Sequence, residues 1–192
     1  MKIVSTDEAL VETALLTRKL SCPSCDGTLV PWAHARTRIV RLACGEERRR
    51  LRRSQCSSCG KTHVLVPNDT LVRRRDAVGV IGPALIDAAA GLGHRKIATR
   101  FGRPPETVRG WLRRARQRAE EIRVHFTVWS VALDGSVLLS SVGSPLANAL
   151  DAIGHAGRAA VLRKIATDPW CFCSGSTNGL LLSNTNSPWL AP

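Results

Sequence analysis

The sequence predicts an α+β fold, with a small β unit at the N-terminal end and helices after it. Three observations lead there. Two C-x-x-C pairs, Cys22-Pro-Ser-Cys25 and Cys56-Ser-Ser-Cys59, bracket a series of short strand-like segments. From Asp76 onward the apolar residues recur every three or four positions, the period of a helix. Charge changes along the chain in the same sense: residues 1–75 hold 15 Lys/Arg against 7 Asp/Glu, residues 76–123 hold 10 against 5, and residues 124–192 hold 3 against 3. The whole net charge of +13 therefore sits in the first two parts, which are built to meet a polyanion.

The elements follow in order. Residues 1–20 read as an N-terminal helical segment, with the helix itself over 6–18. Ser5 with Glu8 three residues on forms a capping box, and "EALVETALL" has helical spacing. Residues 21–70 read as a β unit: "TLVPW", "ARTRIVRLAC", "RRRLRRSQC" and "THVLVP" are strand-like, separated by turns. Residues 76–134 read as three helices. Val78, Ile81, Leu85, Ala88 and Leu92 mark the first, which Pro83 places near Gly82 at its start. His94–Phe101 is the second, closed by Gly102. The third begins near Glu106 after two prolines and carries one stripe, Val108, Leu112, Ala115, Ala119, Ile122, Phe126, Trp129 and Leu133, as a single long helix stopped by Asp134-Gly135. The stripe serves as intramolecular core or as the seam of a homodimer. A last helix near 146–165 lies in a C-terminal segment over 135–169, and the Ser-, Asn- and Gly-rich residues 170–192 read as an irregular tail.

The cysteines carry the firmest chemistry. A C-x-x-C turn aims two thiolates at one ion, and two such turns supply the four tetrahedral ligands of a closed structural zinc site. Cys22, Cys25, Cys56 and Cys59 are the expected ligands of one Zn²⁺, and the 30 residues between Cys25 and Cys56 hold a β-hairpin that returns the chain to the metal. This is the pattern of a zinc ribbon. Cys44, His34 and His63 read as bystanders, and Cys171-Phe-Cys173 has the wrong spacing for a second site. Arg36, Arg38, Arg41, Arg48, Arg49, Arg50, Arg52 and Arg53 crowd the hairpin. Guanidinium groups donate paired hydrogen bonds to phosphate, so these arginines are expected on a nucleic-acid backbone rather than on bases.

The stretch "HRKIATRFGRPPETVRGWLRR" has the packing logic of a helix-turn-helix. Ala98 is small where two helices cross, Gly102 can turn the chain with positive φ, and Ile97, Phe101, Val108 and Leu112 fill the space between helices. The second helix of such a motif presents its first turns to the major groove. The expected DNA-contacting residues are Arg95, Arg103, Glu106, Thr107, Arg109, Gly110, Arg113 and Arg114, with Arg109 suited to guanine, Glu106 to cytosine, and Arg113 and Arg114 to phosphate. Trp111 is expected in the core or an interface.

These residues also carry a resemblance. "CPSC…PWAHARTRIVRL…RRSQCSSCGKTHVLVP" followed by "GHRKIATRFGRPPETVRGWLRRAR" resembles a bacterial, mainly actinobacterial, family of unknown function that joins a transposase-like zinc ribbon to a helix-turn-helix, and the likeness extends to "PWCFCS…GLLLSNTNSPW". The first part is similar to the zinc ribbon of some insertion-sequence transposases. The resemblance implies zinc on Cys22, Cys25, Cys56 and Cys59 and DNA reading by the helix after Gly102. Pro83 and Cys44 depart from its pattern.

Several classes are excluded at this level. A transposase catalytic domain needs three carboxylates on an RNase H-like fold, and Asp134, Asp151 and Asp168 are the only acids in residues 124–192. No nucleophile–base pair or phosphate loop suggests an enzyme. No apolar run approaches the ~20 residues of a membrane span. The expectation is a cytoplasmic, nucleoid-associated protein that binds double-stranded DNA in a sequence-specific way, as an accessory to a mobile element working with a transposase or integrase. The alternatives are a transcriptional regulator with a C-terminal dimerisation or partner region, and a zinc-ribbon adaptor for protein or RNA.

Overall fold

The computed structural model describes residues 1–25, 27–137, 143–184, 189 and 192. It is α+β, with strands confined to the first 67 residues and most of the helix beyond them. Strand β1 (Lys2–Val4) precedes helix α1 (Glu8–Leu16). Strand β1 was not legible, and the helix lies within the expected 6–18 but is capped by Asp7 rather than by a Ser5–Glu8 box. The Asp7 carboxylate accepts from Ala9 N at 2.9 Å and Leu10 N at 3.1 Å, satisfying amide donors that a helix start leaves free, while Ser5 Oγ accepts from Asp7 N.

Strands β2 (Leu29–His34), β5 (Arg52–Cys56) and β6 (Thr62–Pro67) form an antiparallel sheet, and β1 adds to the edge of β6 in parallel. The sheet and α1 share a small core of Val11, Leu15, Leu29 and Leu65 with Cys22 and Cys56. Between β2 and β5, strands β3 (Arg38–Arg41) and β4 (Glu46–Arg49) form a separate hairpin. That hairpin rests on the helical part of the chain: Arg41 N donates to Arg75 O at 2.7 Å, and Ala77 N donates to Arg41 O at 2.9 Å.

Helices α2 (Val78–Ala89), α3 (His94–Phe101), α4 (Pro105–Gln117), α5 (Ala119–Leu133), α6 (Pro145–Leu162) and α7 (Pro169–Ser176) surround a second, larger core. Three expectations are corrected here. Helix α2 starts four residues before Gly82, so Pro83 lies inside it. The lost amide bond is offset by burial of Val78, Val80, Ile81, Ala84 and Leu85. The 106–133 stripe is not one helix. It breaks at Arg118, and both halves still face inward: Val108, Leu112, Ala115, Ala119, Ile122, Phe126 and Leu133 are all buried. Of the two roles expected for the stripe, the structure gives it the first. Its buried side chains fill the core of one chain, those of α4 chiefly against α2 and α3 and those of α5 chiefly against α6. The tail is not irregular throughout. Asp168 caps α7, accepting from Trp170 N and Cys171 N, and Cys171, Phe172, Cys173, Leu181 and Leu182 are buried. Residues 138–142 of the expected 135–169 segment, and 185–188, 190 and 191 of the expected tail, lie outside the described residues.

Candidate metal centre and basic helical face

Cys22 and Cys25 sit in the turn before β2, Cys56 ends β5, and Cys59 lies in the turn between β5 and β6. The pairing of β2 with β5 sets Leu29 opposite Cys56, which brings the two turns together. The Cys22 and Cys59 sulfurs are 3.9 Å apart and those of Cys25 and Cys56 are 3.5 Å apart. All four lie within 4.8 Å of one another. Thiolates bound at about 2.3 Å around a tetrahedral ion have S···S edges of about 3.8 Å, so the cluster has the size one ion needs. The backbone fits as well: Ser24 N donates to Cys22 Sγ, and Ser58 N and Cys59 N donate to Cys56 Sγ. Gly60 takes φ +71° behind the second turn. At Gly27 a Cβ would lie 2.4 Å from Ser58 Oγ and 2.9 Å from Cys56 Sγ, so only glycine lets the first turn approach the second.

Charge separates within the cluster. The Cys59 amide, with that of Ser58 and the neighbouring sulfurs, lowers the Cys56 thiol to about 6. The Gly27 amide favours the Cys25 thiolate, yet the Cys59 and Cys56 sulfurs push that group up to about 12. Four thiols this close cannot all ionise without a cation, and a divalent ion supplies the missing charge. The four cysteines thus fit one metal ion. His63 is buried, with Nε2 3.3 Å from Cys22 Sγ. Burial first, then cationic neighbours including Lys61 and Lys2, hold its pKa down and keep the ring neutral. It sits against the Cys22 sulfur, in the position of the ordered groups that surround metal ligands. Cys44 is exposed in the turn of the β3–β4 hairpin and takes no part in the cluster.

The hairpin arginines divide into two sets. Arg36, Arg48 and Arg50 are exposed, with no side-chain partner among the described residues. The others bond within the fold. Arg38 donates to the Arg74 carbonyl, Arg49 to Asp69 at 2.7 Å and Glu47 at 2.8 Å, and Arg52 to Glu12 at 3.0 Å and the Ala33 carbonyl at 3.1 Å. Arg53 donates to Thr62 Oγ1 at 2.8 Å, and Arg41 pairs with Glu46 at 3.2 Å. Asp69 raises the Arg49 pKa further, fixing it as a permanent charge.

Helices α3 and α4 are joined by Gly102 at φ +60°, whose N–H returns to the end of α3. Ile97, Ala98, Val108, Trp111 and Leu112 are buried beneath them. On the outer side, Glu106, Arg109 and Arg113 are exposed on α4, and Arg95 and Lys96 on α3. Arg109 reaches Glu106 at 3.2 Å, but both side chains remain largely in solvent, and such a pair contributes under about 1 kcal/mol. Thr107, Gly110 and Arg114 are half-buried on one flank of α4, with Arg114 donating to Gly110 O at 3.0 Å and to Asn184 Oδ1 at 3.3 Å. Arg103 is half-buried and bonded inward. It donates to Asp76 at 2.5 Å and to the Leu42 carbonyl at 2.8 Å, with the Asp76 side chain buried and that of Arg103 half-buried. It ties the turn before α4 to the start of α2 and to the hairpin.

Fold and site together define a four-cysteine β unit that carries a basic helical pair. Residues 22–99 match a protein family described as a domain of unknown function, DUF6431. The match covers both cysteine turns, the hairpin, α2 and most of α3, and ends before α4. No curated protein and no solved structure matches the chain. None of the described helices is long and apolar enough to cross a membrane.

Proposed function

We propose that the chain binds double-stranded DNA in a sequence-specific way, with α3 and α4 as a helix-turn-helix and the cysteine unit as a zinc ribbon. The supporting observation is the exposed face of α4. Glu106, Arg109 and Arg113 project from it beside a cleft lined by His94, Arg109, Arg113, Arg116 and Gln117, with Arg95 and Lys96 at the edge. An α-helix of this kind fits the major groove, where arginine pairs with guanine and glutamate accepts from cytosine. One structural zinc ion on Cys22, Cys25, Cys56 and Cys59 holds the β unit closed, and four cysteines leave it no open position for catalysis. The role that suits such a molecule is an accessory to a mobile element, in the cytoplasm on the nucleoid, acting with a transposase or integrase. A transcriptional regulator is the second reading, favoured by Val124, Val128 and Val131, which form an exposed row on α5 that a partner protein would cover.

The test is selection from random duplexes at rising salt, which screens the phosphate contribution. An enriched sequence is expected, and its absence overturns sequence reading. Arg109→Ala should weaken binding to the selected duplex by about 1–3 kcal/mol and relax the preference at one base pair.

A further inference from the structure

We propose that Arg73 and Arg75, with Arg114, form a cradle for DNA backbone phosphate on the flank of α4 opposite the His94 cleft; this rests on the DNA-binding reading above. A cleft of about 260 Å³ lies between the connection into α2 and the first turns of α4. Five arginines line it: Arg41, Arg73, Arg74, Arg75 and Arg114. Two acids line it as well, and both are engaged. Asp76 is held by Arg103, and Glu106 pairs with Arg109 on the outer face.

The arginines differ in how far the fold uses them. Arg41 pairs with Glu46, Arg74 Nη2 donates to the Leu182 carbonyl at 2.6 Å, and Arg114 bonds Gly110 and Asn184. Arg73 and Arg75 are exposed, and neither side chain has a partner among the described residues. Arg73 also holds φ +60°, a conformation that costs a non-glycine residue roughly 1 kcal/mol or more. Neighbouring backbone bonds keep it there: Val72 N donates to Gly179 O at 2.9 Å and Arg74 N to Leu71 O at 3.1 Å. Burial, and then the nearby Arg114 charge, lower the Arg74 pKa.

Position gives the crowding a purpose. A helix in the major groove is bounded by a phosphate backbone on each side. Arg95, Lys96 and Arg116 serve one side of α4. The 73–75 connection serves the other, past Thr107 and Gly110, where a small residue lets the backbone come close.

The experiment compares the full chain with the Arg73→Ala/Arg75→Ala double variant on the selected duplex and on a scrambled one. Both substitutions are on the surface, and unchanged metal content and circular dichroism verify the fold. Removing one arginine–phosphate pair should lower the salt slope of log K by about 1, so a fall of about 2 is expected for the double variant. Affinity should drop roughly ten- to a hundredfold, equally on both duplexes, and ethylation interference should vanish along one strand segment. If the double variant keeps the slope and the interference pattern while the unmodified chain binds, the cradle is overturned and the DNA-binding reading stands. If the unmodified chain binds no duplex, the DNA-binding reading falls and the cradle with it.

Discussion

Arg103→Ala would leave Asp76 as a buried carboxylate without its cation. Breaking one side of a buried pair costs about 3–5 kcal/mol, so a large fall in the urea midpoint is expected. The double variant Arg103→Met/Asp76→Leu should recover most of that loss, because no charge is then stranded. Cys56→Ser removes one of the four clustered sulfurs, the one whose thiol is lowered to about 6. Metal analysis should give one zinc per unmodified chain and a clear loss in the variant, together with loss of β structure by circular dichroism. A folded, metal-free protein would contradict the zinc assignment. The cysteines were legible in the sequence because their chemistry depends on local spacing. The arginines were not. Whether Arg49 meets phosphate or Asp69, or Arg52 meets phosphate or Glu12, depends on acids 20 and 40 residues away. Gly27 gave no signal either, since its need appears only when Ser58 and Cys56 arrive from the other turn.

At the level of elements, helix α3 and the start of α4 were legible from Gly102 and the paired prolines. The break at Arg118 was not. Apolar spacing continues through it because α4 and α5 both face the same core, so the period carries no mark of the bend. What holds the joint comes from far along the chain: the Arg118 guanidinium donates to the carbonyls of Leu180, Leu181 and Ser183, pairs with Glu121, and lies 4.2 Å from the Trp189 ring centroid. Helix α7 was missed for a related reason. Its Ser- and Gly-rich composition resembles loop, and its stability comes from the Asp168 cap and from burial. The packing of α2 on α7 supplies a test. A Cβ on Gly82 would lie 2.1 Å from Cε2 of Trp170, so Gly82→Ala should destabilise the protein despite alanine's better helix propensity. Overpacking of this kind costs about 1–3 kcal/mol, and thermal unfolding of the variant should show a lower midpoint.

Across the whole molecule, two cores share one chain, and its stability should depend on pH through His125. Burial holds the His125 pKa at about 4, against an ordinary value of 6.5, despite the nearby Glu121 charge. Its Nε2 is buried without a hydrogen-bond partner, and the ring meets Phe126 at 4.8 Å and Trp189 at 5.0 Å. The unfolded chain takes up the proton first as pH falls, so stability declines from about pH 6.5 toward pH 4. Urea unfolding at pH 7 and pH 5 should show the decline, and His125→Gln should flatten it over that interval. The coarse division into β unit and helices was legible because the change of apolar period at Asp76 is a property of the sequence itself. The joining of the two parts was not, because it runs through the inserted β3–β4 hairpin. That hairpin sets a limit on transplanting the helical pair. A fragment cut at residues 76 and 134 keeps α3 and α4 intact. It discards the Leu42 carbonyl that Arg103 grips and the Leu180, Leu181 and Ser183 carbonyls that Arg118 grips. Both ends of the surface would then be unmoored, and the shortest portable version must begin ahead of the hairpin and run past Ser183.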